Sequence, residues 1–233
     1  RDKIFKDTDV LGIVGYGNIE KRLKSILDNL NIKNVVYDPF IKNKSLSTID
    51  ELLEAEIISV HTPLTFDTKH PTHTMINENF FNKSKCHSVI NTSRGGIVSE
   101  SSVVRRKLNY IADVWENEPS VNIDLVNYCY IATPHIAGHS FEGKVNGTID
   151  ILKALMSFLN FDESTVNKNL KIIEDFYTHQ KNNYGDLKDF NNNYDISQES
   201  KNFKDLFKKF PQNNFNKLRD RHAKRHDLSV YNL

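Results

Sequence analysis

Cysteine is scarce in this chain: only Cys86 and Cys129 occur among 233 residues, far apart and outside any CxxC pattern. A disulfide framework and a thiolate metal site are therefore not expected; two buried free thiols in a reducing cytoplasm are. Long apolar runs are missing too. No stretch approaches the roughly 18 apolar residues of a membrane span, and the opening Arg1, Asp2 and Lys3 lead into no signal-like apolar segment. An excess of either charge is also lacking. The formal net charge is +1 although 26% of residues are charged, so bulk electrostatics offers no attraction to nucleic acid or an anionic membrane. The basic stretch 219–226 is interrupted by Asp220 and has no aromatic platform beside it, so it reads as a charged helix face. His61, His70, His73 and His87 lack ligand-like spacing, and no metal is expected. Nor does the chain begin with methionine, and its opening lies directly before the first strand-like run, which predicts an amino-terminal portion outside it.

What is present begins with residues 10–38, VLGIVGYGNIEKRLKSILDNLNIKNVVYD: an apolar strand, a glycine turn, an amphipathic helix, and a second strand ending in an acid. That order and spacing is a dinucleotide-binding βαβ unit, which makes NAD the expected cofactor. Gly15 permits the sharp turn, and Gly17 lets a pyrophosphate approach the backbone where Asn18 and Ile19 start the helix. Asp38 then stands where a carboxylate accepts from ribose hydroxyls and repels a 2′-phosphate, favouring NAD over NADP. Glu20 departs from the pattern, since a third glycine belongs at its position.

Five further strand-like runs follow, at 34–38, 57–61, 88–92, 109–114 and 130–133. Their Val and Ile content suits strands covered on both faces, hence a parallel sheet with helices between. Ser47 and Thr48, each with an acid three residues on, offer two capping boxes for a helix over 49–54, and 140–158 reads as a longer amphipathic helix. The connection 93–108 must hold a loop, a helix and a return in little more than the dozen residues a parallel crossover needs, so it is compressed or residues are missing between Val98 and Lys107. Beyond the long helix, 161–176 either continues as helix or crosses to another domain, and 182–193 reads as a polar linker or loop. The tail carries Phe203, Leu206, Phe207 and Phe210 at helical spacing, then Phe215, Leu218, Leu228, Val230 and Tyr231. That stripe needs a cover, either a second copy of the chain or the nucleotide domain itself. The fold expected is α/β, a Rossmann-type doubly wound parallel sheet over 1–159, with a small carboxy-terminal α+β dimerisation region over 160–233.

Three groups fall just beyond successive strands: Arg94 in VINTSRGGIVSE, Asp113 with Glu116 and Glu118 in ADVWENEP, and His135 in IATPHIAG. Ligands of open α/β sheets bind at the carboxyl ends of strands, so these side chains converge despite their separation in sequence. Arg94 suits a bidentate grip on a carboxylate, His135 suits proton transfer near neutral pH, and Glu118 suits fixing the imidazole tautomer. Taken singly, each has a plain structural reading, as a tether, a satisfied loop histidine or a solvated charge. Their joint placement after a nucleotide turn favours oxidation of a hydroxy acid. Asp113 either accepts from the nicotinamide side of a cofactor or caps structure, and Thr62, after the third strand, either borders the adenosine or forms a turn.

Together GIVGYGN, YDP, SVHTPL, INTSRGGIV, ADVWENEP and TPHIAGHSFEGK resemble the nucleotide-binding half of the D-isomer-specific 2-hydroxyacid dehydrogenases. The resemblance implies an NAD-dependent dehydrogenase acting on a small phosphorylated hydroxy acid, working as a homodimer. It assigns Arg94 to substrate binding, His135 to acid/base catalysis and substrate binding, and Glu118 to the histidine's carboxylate. Asp38, Thr62, Asp113 and Gly138 are placed around NAD, and His139 stands where the nearest members carry a substrate-contacting tyrosine. In this family most of the substrate domain precedes the nucleotide half. A catalytically silent NAD-binding or dimerisation module is the competing expectation, motivated by Glu20, His139 and the absent substrate domain.

Overall fold

Residues 5–41, 46–162, 164–168, 170–171, 193–209, 215–222 and 225–226 are described by a computed structural model of the chain. Their strands form a single parallel sheet: β1 (Leu11–Val14), β2 (Asn34–Tyr37), β3 (Ile57–Val60), β4 (Ser88–Asn91), β5 (Asn109–Ala112) and β6 (Ile131–Ala132). The spatial order is β2-β1-β3-β4-β5-β6. Strands form where the sequence places them, but Asp38, His61, Thr92 and Asp113 leave the ladder and become the first residues of strand-end loops. Because β1 lies between β2 and β3, the winding reverses there, and the crevice for a ligand opens at the carboxyl ends of β1 and β3.

Both faces of the sheet are covered. Alternate residues of β1 point to opposite sides, so Ile13 packs with Val36 and with Leu27 of α1 (Asn18–Asn29). Val14 joins the larger cluster that contains Val60, Val89 and Leu52 of α2 (Ile49–Leu53). Of the two expected capping boxes the Thr48 form is realised: its hydroxyl accepts from Glu51 N–H while Glu51 returns to the Thr48 amide at 2.6 Å. Helices α3 (Glu78–Lys83) and α5 (Ile123–Tyr128) are capped by Asn77 and Asn122. The compressed crossover closes without further residues. Its helix α4 (Glu100–Arg105) is six residues long, and Lys107 adopts φ 55° to return the chain to β5.

Two compact units emerge: one spans Arg1–His135 with Ser197–Arg221, the other Ile136–Ile196 with His222–Leu233. This division differs from the expected one between 159 and 160, because the tail helices belong with the sheet. The long helix α6 (Phe141–Phe158), capped by Ser140, lies in the second unit. Helices α7 (Ile196–Lys209) and α8 (Phe215–Asp220) follow in the chain. Part of the apolar stripe of α7 faces the sheet's last edge: the Phe203 ring lies 6.1 Å from that of Trp115 at a tilt of 41°, Phe207 is fully buried, and Phe215 closes the cluster. Ser200 Oγ accepts the Ala132 N–H of β6 at 2.9 Å, satisfying an amide that an edge strand otherwise leaves unpaired. Phe203 and Phe207 therefore find their cover inside their own chain, the second of the two covers expected, while Leu206 stays 42% exposed. Among the described residues no strand follows β6, so the β component expected of the tail is not found there. The proposed linker 182–193, apart from Asn193, lies outside the described residues, as do 172–176, Phe210, Leu228, Val230 and Tyr231. Among the described residues no helix is long and apolar enough to cross a membrane.

Candidate active site

The glycine turn sits at the end of β1, where Gly15 takes φ 106° and donates its N–H to Tyr37 O of β2 at 2.9 Å. Asp38, the first residue beyond β2, accepts Tyr16 N–H at Oδ2 (3.0 Å) and Phe40 N–H at Oδ1 (2.9 Å). The carboxylate is thus held against the turn, each oxygen keeping a further lone pair for a ribose hydroxyl. Thr62 comes from the end of β3 to the same place, its methyl 3.3 Å from where a Cβ on Gly15 would lie. Its buried Oγ1 has no hydrogen-bond partner among the described residues. A buried hydroxyl left this way is a position for a ligand's polar group. Gly17 caps α1 in extended geometry and has no side-chain acceptor for the first amides of the helix. These residues fit a dinucleotide's adenosine and pyrophosphate, with one obstruction: the Glu20 carboxylate lies over Gly15 and Gly17.

The strand-end groups occupy the other side of the sheet's carboxyl edge. His135 Nδ1 and Glu118 Oε2 are 2.8 Å apart, and Glu118 Oε1 accepts the Trp115 N–H at 2.9 Å. Both carboxylate oxygens are therefore tied down, which holds the imidazole in one orientation. His135 also takes φ 59°, sparsely populated for a non-glycine residue. The hydrogen bond that its ring N–H donates to Glu118 raises its pKa above the ordinary value; partial burial and the Arg94 charge oppose this, and Asp113 assists it. Arg94 is exposed on the loop after β4, which Asn91 staples by donating to Arg94 O and accepting from Ser93. One guanidinium nitrogen, Nη1, donates to Ser93 O at 2.6 Å, and among the described residues the Nε and Nη2 edge makes no hydrogen bond. A Cβ on Gly95 would fall on the Trp115 carbonyl, so only glycine lets this loop touch the β5 loop.

Of the strand-end groups the structure brings His135 and Glu118 into direct contact, and the charges of Asp113 and Arg94 act on His135 in opposite senses. Asp113 is buried and accepts from Thr133 Oγ1 at 2.6 Å, a tie between the ends of β5 and β6. Gly15, Gly17, Asn18, Ile19, Asp38 and Thr62 gather at the turn. Gly138 and His139 belong to the second unit, where a Cβ on Gly138 would meet nothing within 4 Å and the His139 ring lies 5.4 Å from that of His222. Sequence reasoning missed Glu100, which opens α4 and accepts Glu116 N–H at 3.0 Å. Burial, with the nearby Glu116 and Glu118 carboxylates, pushes its pKa up to about 7. Its sign in the sequence is an acid at the start of the helix that follows the Arg94 loop. The two cysteines are free and buried, with burial pushing the Cys86 thiol up to about 12 and Cys129 up as well, so neither is a nucleophile at neutral pH.

A parallel sheet with a nucleotide turn at its switch point and an Arg, Glu and His at successive strand ends defines a nucleotide-binding domain of the dehydrogenase type. Residues 6–137 match the family model for the D-isomer specific 2-hydroxyacid dehydrogenase, NAD binding domain. The chain belongs to this family. It is similar to the erythronate-4-phosphate dehydrogenase of Wigglesworthia glossinidia brevipalpis, 38% identical over 169 residues that make up 68% of this chain and 45% of the relative. It is also similar to that of Ruthia magnifica subsp. Calyptogena magnifica, 34% identical over 224 residues, covering 93% and 62%. The chain spans less than two thirds of the length of these relatives. Among solved structures it resembles an NAD+-bound 3-phosphoglycerate dehydrogenase from Entamoeba histolytica (31% identity, TM-score 0.54, covering 65% of this chain and 52% of that one). A glyoxylate reductase from Paecilomyes thermophila is likewise similar (25% identity, TM-score 0.58, covering 66% and 50%).

Proposed function

We propose that this chain supplies the NAD site and the acid/base centre of an oxidoreductase that oxidises 4-phospho-D-erythronate to 2-oxo-3-hydroxy-4-phosphobutanoate, a step toward pyridoxal 5′-phosphate. The observation that carries the chemistry is the His135–Glu118 pair, 2.8 Å apart at the end of β6. The names of the relatives carry the substrate. When bound, NAD accepts the hydride that leaves C2. The protein's own part is to remove the hydroxyl proton: His135 Nε2 takes it, while the Nδ1–H remains bonded to Glu118 and the carboxylate balances the resulting imidazolium. The Nε and Nη2 edge of Arg94 grips the substrate carboxylate and stabilises charge at the developing carbonyl. Oxidation requires a neutral imidazole, and the raised pKa of His135 moves the rise in rate upward from the ordinary histidine value.

The reading is tested with the complete native protein, offering 4-phospho-D-erythronate, D-3-phosphoglycerate and D-lactate while reduced nicotinamide is followed by absorbance. Highest kcat/KM for the erythronate is expected. Preference for either competitor would reassign the protein to another D-2-hydroxyacid dehydrogenase activity, and turnover of none would leave a silent NAD-binding module.

A homodimer and a reducing cytoplasm complete the proposal, the latter supported by the free, buried cysteines. With Phe203 and Phe207 of α7 buried, α6 offers the surface for a second copy. Its Ile151, Leu155 and Phe158 recur at helical spacing and are 73%, 50% and 82% exposed. Phe158→Glu is expected to convert a dimer to a monomer in sedimentation velocity; an unchanged dimer would put the interface elsewhere.

A further inference from the structure

We propose that Glu20 fills the anion cradle of the glycine turn with its own carboxylate, so that NAD enters only when this side chain turns out, making Glu20 the determinant of dinucleotide affinity. Three observations carry this. Glu20 is 5% exposed although it lies in the first turn of a surface helix. Its Oε2 lies 3.0 Å from where a Cβ on Gly17 would stand, and its Oε1 crowds the corresponding position on Gly15. Among the described residues no hydrogen bond or ion pair accounts for that placement.

In a dinucleotide turn the missing Cβ of the second glycine leaves the gap through which pyrophosphate reaches the amides. Here that gap contains a carboxylate. The α1 N-terminus stabilises one anion, and an attached carboxylate competes for it at high effective concentration. A pyrophosphate entering beside an unmoved Glu20 would also meet like charge. The inference rests on the turn being the pyrophosphate site, so its test separates the two.

Calorimetric titration of the 233-residue chain with NAD compares wild type, Glu20→Gly and Glu20→Gln. Glu20→Gly is expected to lower Kd by about five- to thirtyfold, the upper scale of a helix-terminus charge interaction released to the ligand. Glu20→Gln, which removes charge and keeps bulk, is expected to lower it by less. Equal or weaker NAD binding by Glu20→Gly overturns the inference and leaves the NAD site intact. In parallel, inorganic pyrophosphate is added while amide resonances of Gly17, Asn18 and Ile19 are followed. Shifts in Glu20→Gly at concentrations that leave wild type unmoved support the carboxylate's role. If that variant takes pyrophosphate but no NAD, the NAD reading falls and the claim on dinucleotide affinity falls with it; if it takes neither, the inference falls as well. Should glycine loosen α1, as a lowered melting temperature would reveal, Glu20→Ala is expected to act in the same direction.

Discussion

His135 is bound to Glu118 strongly enough to shift its titration upward against both burial and the positive charge of Arg94. Glu118→Gln is therefore expected to move the His135 midpoint, read from imidazole resonances, downward. An unmoved midpoint would show that the hydrogen bond does not set it. The sign carries to stability: a group whose pKa is raised on folding stabilises fully below its unfolded value, near 6.5, and loses that contribution as pH rises through the folded value. Glu100, raised to about 7 from 4.5, acts in the same sense over a lower window. His135, Glu118 and Arg94 were legible in sequence because each follows a strand within a short, recognisable run. Glu100 was not, because its partner is a backbone amide of another strand-end loop, and no local spacing encodes that meeting.

At the scale of elements, α7 shows where periodicity ends as a guide. Helical spacing of Phe203, Leu206 and Phe207 establishes an apolar stripe, yet a stripe has the same pattern whether it faces a second copy or its own sheet. Trp115, the open edge of β6 and the Ala132 amide decide for the sheet at Phe203 and Phe207, while Leu206 stays exposed. Phe207 is fully buried there, so Phe207→Ala is expected to cost about 3–5 kcal/mol, the range for removing a buried aromatic ring. Urea unfolding of the two chains measures this, and a loss below about 1 kcal/mol, typical of a surface change, would remove α7 from the core. The β4-to-β5 connection is the opposite case. Length alone showed it compressed, and its backbone resolved this with a short helix and a left-handed return at Lys107.

For the whole chain, binding at the switch point is expected to appear as stabilisation, since a ligand selective for the folded state adds about 2.7 kcal/mol at a hundred times its Kd. NAD is expected to raise the melting temperature and NADP to leave it near that of the free chain, because the Asp38 carboxylate is pinned beside the turn and repels a 2′-phosphate. Equal shifts with both cofactors would remove Asp38 from that role.

The order of strands and helices, the glycine turn and the strand-end motifs were determined by the sequence by itself, because each depends on residues within a turn or two of one another. Contacts between distant segments were decided only by the tertiary structure. Glu20 could be seen to replace a glycine, but its direction depends on Gly15 and Gly17 leaving a space that the helix N-terminus makes favourable for an anion. Phe203, Phe207 and Phe215 could be seen to need burial, but burial is non-directional, and only the assembled sheet supplied the surface that satisfies it.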